Sequence, residues 1–274
     1  MTEPTEIEIR HVTRYAYDPA ADRAGLRIKL FPADTAAQRV LAWEVTVNGA
    51  PVSPSLTNPM GDGEALWFAP TKVSEIEIIA NGRVQLTDTS GVLGKFGQAR
   101  PSIFLRESEL TEPDEAIRAL AAGIEGETDL ARMHALNTAI HESVTYRKGV
   151  TEGTTTAAQA LALGAGVCQD LTHVLVATAR AMGLPARYVA GYHAGDSDER
   201  ATHAWAEVYL DGLGWTGFDP THDLCPAASH IRFCAGLDAS DAAPIRGHVI
   251  GETAETLEVS VEIGQAQSQS QQQG

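Results

Sequence analysis

Cysteine is scarce in this chain, with Cys168, Cys225 and Cys234 the three examples in 274 residues. Three thiols make no disulfide framework, and a reducing, cytoplasmic setting is expected, in which a reactive thiol stays reduced. Basic residues are also in deficit, 20 Lys and Arg against 36 Asp and Glu, for a formal net charge of −16. That balance argues against nucleic acid and anionic membrane surfaces as partners and leaves the substrate open. No apolar run approaches the length of a membrane span. The opening Met-Thr-Glu-Pro-Thr-Glu lacks the basic and apolar regions of a signal peptide, and no internal repeat is present. What remains is ordinary globular composition, 43% hydrophobic and 20% charged. The length favours two domains.

The first ninety residues read as strands. Ile7, Ile9, Thr13, Tyr15 and Tyr17 alternate along one face, and Leu26, Ile28 and Leu30 repeat the pattern before Phe31-Pro32. Leu41–Val47 is a third strand, closed by the turn pair Asn48-Gly49. Ala65–Ala69, Glu75–Ala80 and Val84–Leu86 follow, with Asn81-Gly82 compatible with a hairpin or with a bulge in one longer strand. Residues 91–110 are Gly-rich at their start and weakly patterned, and read as a connector. From Thr111-Glu-Pro-Asp onward the apolar period lengthens to that of helices. A short helix starts there, Leu130–Val144 marks a second, Thr155–Leu163 a third and the stretch after Val167 a fourth. Strands return at Arg187–Tyr192, His203–Leu210, Trp215–Asp219, Ile231–Cys234 and Leu257–Ile263. Helices followed by antiparallel strands make an α+β core over 111–264, behind a β-rich domain over 1–90. Residues 265–274, nearly all Gln and Ser, are expected to be disordered.

The stretch Gly164-Ala-Gly-Val-Cys-Gln-Asp170 stands between the third and fourth helices. Val167, Leu171, Val174, Leu175, Ala181 and Met182 form one face of the fourth, which Gly183 and Pro185 terminate. Cys168 therefore falls in a first helical turn, where unsatisfied amides and the helix dipole favour a thiolate. The glycines at 164 and 166 suit a close backbone approach to that helix start.

A nucleophilic cysteine needs a base, and the base an orienting group. His203 starts one strand and Asp219 ends the next, joined by the turn Asp211-Gly-Leu-Gly214. An even loop pairs 206 with 219 and puts the two side chains on opposite faces. A loop of three or five residues, with Gly212 or Gly214 at positive φ, pairs 205 with 219 and brings them to one face. A Cys168–His203–Asp219 triad thus requires an odd loop or a bulge.

These residues, with Gly183-Leu-Pro-Ala-Arg-Tyr-Val189, Gly191-Tyr192, His203-Ala-Trp205 and Gly214-Trp-Thr-Gly-Phe-Asp-Pro220, resemble the transglutaminase-like core of bacterial cysteine-protease-like proteins. The resemblance implies a papain-like transglutaminase core, helices packed on an antiparallel sheet. It also implies that Cys168, His203 and Asp219 are catalytic. Tyr15-Ala-Tyr17, Leu26–Pro32 and Gln38 fit the β-rich N-terminal domain of that family. Two segments depart from its pattern. Asn58-Pro-Met-Gly-Asp62 stands where the family has Asp-x-Phe-Gly-Asn. Gly236–Gly247 carries Leu237 and Ala239 where the family is basic and aromatic. The activity implied is amide acyl transfer through a thioester, as a protease or amidase, with transglutaminase or a non-catalytic binding module as alternatives. The partner is then a peptide, protein or other amide substrate, without cofactor. Tyr146 and Gln169 are candidates to line the cleft, and the Cys168 N–H a candidate oxyanion donor. His222-x2-Cys225-x4-His230-x3-Cys234 has spacings that zinc tolerates. The strand reading of 231–234 and the resemblance both count against it, and no metal is expected.

Overall fold

The computed structural model describes residues 4–195 and 202–265. The β-rich part contains β1 (Thr5–Ala21), β2 (Arg23–Ile28), β3 (Gln38–Val47), β4 (Ala50–Val52), β5 (Leu56–Thr57), β6 (Gly63–Phe68) and β7 (Val73–Leu86). After them come β8 (Val92–Gly94), α1 (Glu115–Gly123), α2 (Asp129–Ser143), β9 (Thr145–Tyr146), α3 (Ala157–Leu163), β10 (Ala165–Gly166) and α4 (Cys168–Ala181). The last group is β11 (Ala186–His193), β12 (Thr202–Leu210), β13 (Gly214–Phe218), β14 (His230–Gly236), β15 (Ile245–Ile250) and β16 (Ala254–Gln265). This is the α+β architecture expected. Among the described residues no helix is long and apolar enough to cross a membrane.

Three larger sheets organise the chain: β16-β1-β7-β3-β4, β15-β2-β6-β5 and β14-β11-β12-β13-β8. The strand at Leu257–Ile263 runs beside β1 over twelve paired positions, from Ile7 opposite Gln265 to Asp18 opposite Ala254. Residues 245–265, placed above in the core by sequence order, therefore complete the N-terminal sheets. The connector is likewise not free of structure, since β8 pairs with the edge of β13. Alternation identifies a strand but carries no label for its sheet, which is why both placements escape the pattern. The tail called at 265–274 lies outside the described residues beyond Gln265.

Asn48 and Gly49, at φ of 49° and 76°, form the tight turn between β3 and β4. Asn81-Gly82 makes no hairpin, because β7 continues from 73 to 86 and both residues pair with β1 on one side and β3 on the other. The irregularity falls across the ladder in β3, between Val40 and Ala42. Gly82 is needed there because a Cβ would sit 2.2 Å from the Ala42 carbonyl and 2.5 Å from the Trp43 ring. The expected first helix also starts three residues late. Asp114, not Thr111, caps α1 by accepting the Ile117 N–H at 2.9 Å, and Thr111 closes a 3-10 turn instead.

The helices form one apolar cluster around α4, in which Leu171, Val174, Leu175 and Ala179 meet Ile117, Met133, Leu136 and Ile140. Ala206, Val208 and Phe218 close that cluster from the sheet side. A second cluster joins the N-terminal sheets to Tyr188, Tyr192, Ile231 and Phe233 of the core sheet. The N-terminal layers are therefore packed against the sheet that carries His203, and α4 is held between sheet and helices. From Asp170 to Arg180 every residue of α4 is buried, so its N-terminus cannot drift.

Two buried histidines register this packing. His173 of α4 accepts the Ala239 N–H at Nε2, 3.1 Å away, which ties the altered segment 236–247 to the cysteine helix. His11 bonds Thr13 and the Tyr192 hydroxyl across the interlayer contact. Burial pushes each imidazole down to about 4. The fold thus holds both neutral, and its stability is complete above the ordinary histidine range near 6.5 and lost as pH falls toward 4. In His173→Gln the amide oxygen keeps the Ala239 bond and removes one titrating group. Between pH 7 and pH 5 the parent should lose about 2 kcal/mol more than the variant in urea unfolding. Parallel losses in the two proteins would show that His173 is not held neutral.

Candidate active site

The helix start that carries Cys168 is built by its neighbours in sequence. Gly164, at φ of 64°, ends α3 in the left-handed conformation. Val167 is the extended residue before α4, and Asp170 folds back to accept its N–H at 2.8 Å and the Thr151 hydroxyl at 2.7 Å. That turn fills the space beside Gly166, where a Cβ would lie 2.6 Å from the Asp170 Cβ. Gly166 thus provides the close approach expected of both glycines, whereas Gly164 serves instead as a left-handed helix stop, with the nearest atom to a Cβ there 3.6 Å away. Cys168 itself is half-buried.

The hairpin of β12 and β13 pairs Leu210 with Gly214 and Ala206 with Phe218. Its loop is three residues, 211–213, with Gly212 at φ of 83° and Gly214 at 80°. The odd loop puts 203 and 219 on one face, and His203 Nε2 lies 2.7 Å from Asp219 Oδ2. Cys168 lies close enough to act on the ring, and with Nε2 engaged by the carboxylate the ring nitrogen left for it is Nδ1. Burial disfavours a charge on the ring, but the bonds and charges of Asp219 and Cys168 outweigh it and raise His203 to about 10.

Asp219 is fully buried, which by itself favours the neutral acid. Its hydrogen bonds from His203, His222 and His230 reverse this and hold it well below the usual carboxylate range. Oδ1 accepts the Thr221 N–H at 2.9 Å, and the Asp219 main chain is paired with Leu224 on both sides. Asn137 of α2 donates to the Asp219 carbonyl at 3.3 Å and to Asp223 at 3.0 Å. The carboxylate is thus fixed before any substrate arrives.

Residues 118–220 match the transglutaminase-like superfamily core, and residues 7–85 match the bacterial transglutaminase-like N-terminal region. The chain carries a transglutaminase-like core behind a bacterial transglutaminase-like N-terminal region. An uncharacterized protein of Mycobacterium tuberculosis is 28% identical over 286 residues, an alignment covering 93% of this chain and 91% of that one. A protein-glutamine gamma-glutamyltransferase of Pseudomonas aeruginosa is 33% identical over 70 residues, 22% of this chain and 10% of that protein. The fold is shared with a crystal structure of a candidate cysteine protease from Cytophaga hutchinsonii. Its TM-score is 0.77 at 22% identity, over 97% of this chain and 92% of the other.

Around this transglutaminase-like site the structure adds two histidines whose place was not foreseen. His222 Nδ1 lies 2.7 Å and His230 Nε2 3.1 Å from the same Asp219 oxygen that His203 uses. His193 stacks on His222 with ring centroids 4.6 Å apart, and burial with the neighbouring imidazoles pushes it down to about 4. The available signal was density, since four of the nine histidines fall between 193 and 230. The sequence spacing had grouped His222 and His230 with Cys225 and Cys234. Those cysteines go elsewhere: Cys234 is buried against the Ala242 carbonyl in the interlayer cluster, and Cys225 packs against the helical cluster. Tyr146 is half-exposed on β9, which pairs with β10 just before Cys168. Gln169 donates to the Gly153 carbonyl at 3.2 Å, bracing the loop that also supplies Thr151.

Proposed function

We propose that this chain is a cysteine-dependent amide acyl-transfer enzyme, with Cys168 as nucleophile, His203 as base and acid, and Asp219 as the orienting carboxylate. One observation carries the reading: a single imidazole hydrogen-bonds a buried carboxylate and stands beside a thiol at a helix start. With its charged form favoured, His203 is suited to take and hold the proton that Cys168 gives up on becoming a nucleophile. The thiolate attacks the amide carbonyl, and first-turn amides of α4 face the developing oxyanion. His203 then delivers its proton to the leaving amine as the C–N bond breaks, which leaves a Cys168 thioester. Water, deprotonated by His203, releases the acid and restores the thiol.

Hydrolysis, by a protease or amidase, is the reading preferred here, and the gamma-glutamyltransferase likeness favours the second, in which a primary amine takes the place of water. The same triad serves both, so the acceptor decides. The thiols should separate cleanly under native alkylation at neutral pH. Burial raises Cys225 and pushes Cys234 up to about 12. Iodoacetamide followed by peptide mass mapping should therefore mark Cys168 well ahead of both. Equal marking of all three would leave Cys168 a packing residue and support a binding module on this fold.

A further inference from the structure

Three imidazole nitrogens converge on one carboxylate oxygen, those of His203 and His222 at 2.7 Å and that of His230 at 3.1 Å. All four atoms lie within 4.8 Å of one another. Orienting a catalytic base takes one carboxylate and one ring, so His222 and His230, which help to hold Asp219 charged, exceed what the acyl-transfer chemistry requires. We propose that His203, His222, His230 and Asp219 form a binding site for a zinc-class divalent ion, and that an ion held there turns the catalytic base off.

The donor set fits. Three imidazoles and one carboxylate are borderline ligands suited to Zn2+, whereas Mg2+ and Ca2+ call for oxygen. A tetrahedral ion with legs of about 2.0–2.1 Å separates its ligand atoms by about 3.4 Å. To reach that spacing the present nitrogen-to-oxygen contacts of 2.7–3.1 Å open by about 0.3–0.7 Å and the wider separations, within 4.8 Å, draw together, on the order of side-chain adjustments. The supports for such a site are already in place. The Thr221 amide holds Oδ1 and leaves Oδ2 to the ion, and Nδ1 of His230, on carrying the ring proton, exchanges the Ala227 N–H it now accepts at 3.4 Å for donation to the Ser229 hydroxyl 3.2 Å away. The His222 side chain is 24% exposed while those of His203, His230 and Asp219 are at 7% or less, so an ion enters past His222.

Occupation has a definite consequence for protons. His222 and His230 present lone pairs by carrying their single proton on the other ring nitrogen. His203 releases its Nε2 proton to solvent and keeps the one on Nδ1, the nitrogen that faces Cys168. With the ion on Nε2, that ring has no lone pair left to take the thiol proton. Binding at the four side chains stands apart from the acyl-transfer reading, and the inhibition rests on it.

The test uses chelator-stripped full-length protein, titrated with Zn2+ against a chromophoric chelator. The parent and Cys168→Ala should each take up one ion with similar affinity. His222→Ala, at the exposed edge and so least disruptive to folding, should bind at least about tenfold more weakly. His230→Ala should do the same, with circular dichroism to verify its fold. Cobalt in place of zinc should show tetrahedral d–d bands without the sulfur-to-metal charge transfer of a thiolate ligand. Amide turnover should fall with the midpoint of zinc uptake and return on chelation. Uptake that vanishes in Cys168→Ala, unchanged affinity in His222→Ala, or no uptake by active enzyme would overturn the proposal. A site that titrates as described in a protein without any amide turnover supports the site and refutes the acyl-transfer reading alone.

Discussion

Alanine at Cys168 is expected to lower amide turnover by on the order of 10⁴-fold or more, with the fold unchanged. The side chain is small and half-buried, and the cap that holds α4 comes from Asp170, so the variant leaves the helix start intact. His203→Ala should be nearly as severe, because one ring both holds the thiol proton and supplies it to the leaving amine. The double variant should be little worse than either single one, since the two groups act as a unit. Asp219→Ala should retain more turnover than Cys168→Ala, because the carboxylate orients without transferring a proton. It should also lower stability, as three imidazoles lose the anion they share. Steady-state rates on any cleaved amide substrate check the order. Cys168→Ala at parental rate would remove the nucleophile from the account.

The second large effect concerns how the layers are joined. Glu207 on β12 accepts from Arg187, its cross-strand partner on β11, at 2.6 Å and from Arg232 on β14 at 2.9 Å. Arg232 continues to Asp62 at 2.5 Å, and its main chain exchanges bonds with the Gln38 side chain. All four charges are buried, and the Arg187 guanidinium lies 3.9 Å from the Trp215 ring centre. Two cations and two anions balance, so each depends on the others for its solvation. Glu207→Ala leaves two buried guanidiniums facing a void and should cost about 3–5 kcal/mol in urea unfolding at neutral pH. Glu207→Gln, which keeps an acceptor oxygen, should cost less. A loss below about 1 kcal/mol for the alanine variant would mean that the network contributes little to joining the layers.

The cysteine's helix start and the His203–Asp219 pair were partly legible, because each has a local cause. A helix start follows from Gly164-Ala-Gly166 and the apolar spacing after Val167, and face-sharing of His203 and Asp219 follows from loop parity, which the sequence left open and the three-residue loop decides. The strands of the first ninety residues were legible for the same reason, through alternation and the Asn48-Gly49 turn. What escaped depends on contacts between distant segments. Nothing local in Leu257–Ile263 says that it pairs with β1, and nothing in Asn58–Asp62 says that Asp62 meets Arg232. With the Asp62 pairing in view, that altered segment becomes intelligible as one half of a buried ion pair. The convergence of His222 and His230 on Asp219 belongs to the same class. Spacing suggested ligands and chose the wrong partners, because it could not see that Cys234 turns into the interlayer core.

The most direct test of the central claim is intact mass and peptide mapping of the protein quenched in acid during turnover of an amide substrate. The account predicts an acyl adduct on Cys168, with the mass of the substrate's acyl portion, that is lost on exposure to hydroxylamine and absent in His203→Ala. Turnover at full rate with no acyl group on Cys168 at any time point would contradict it.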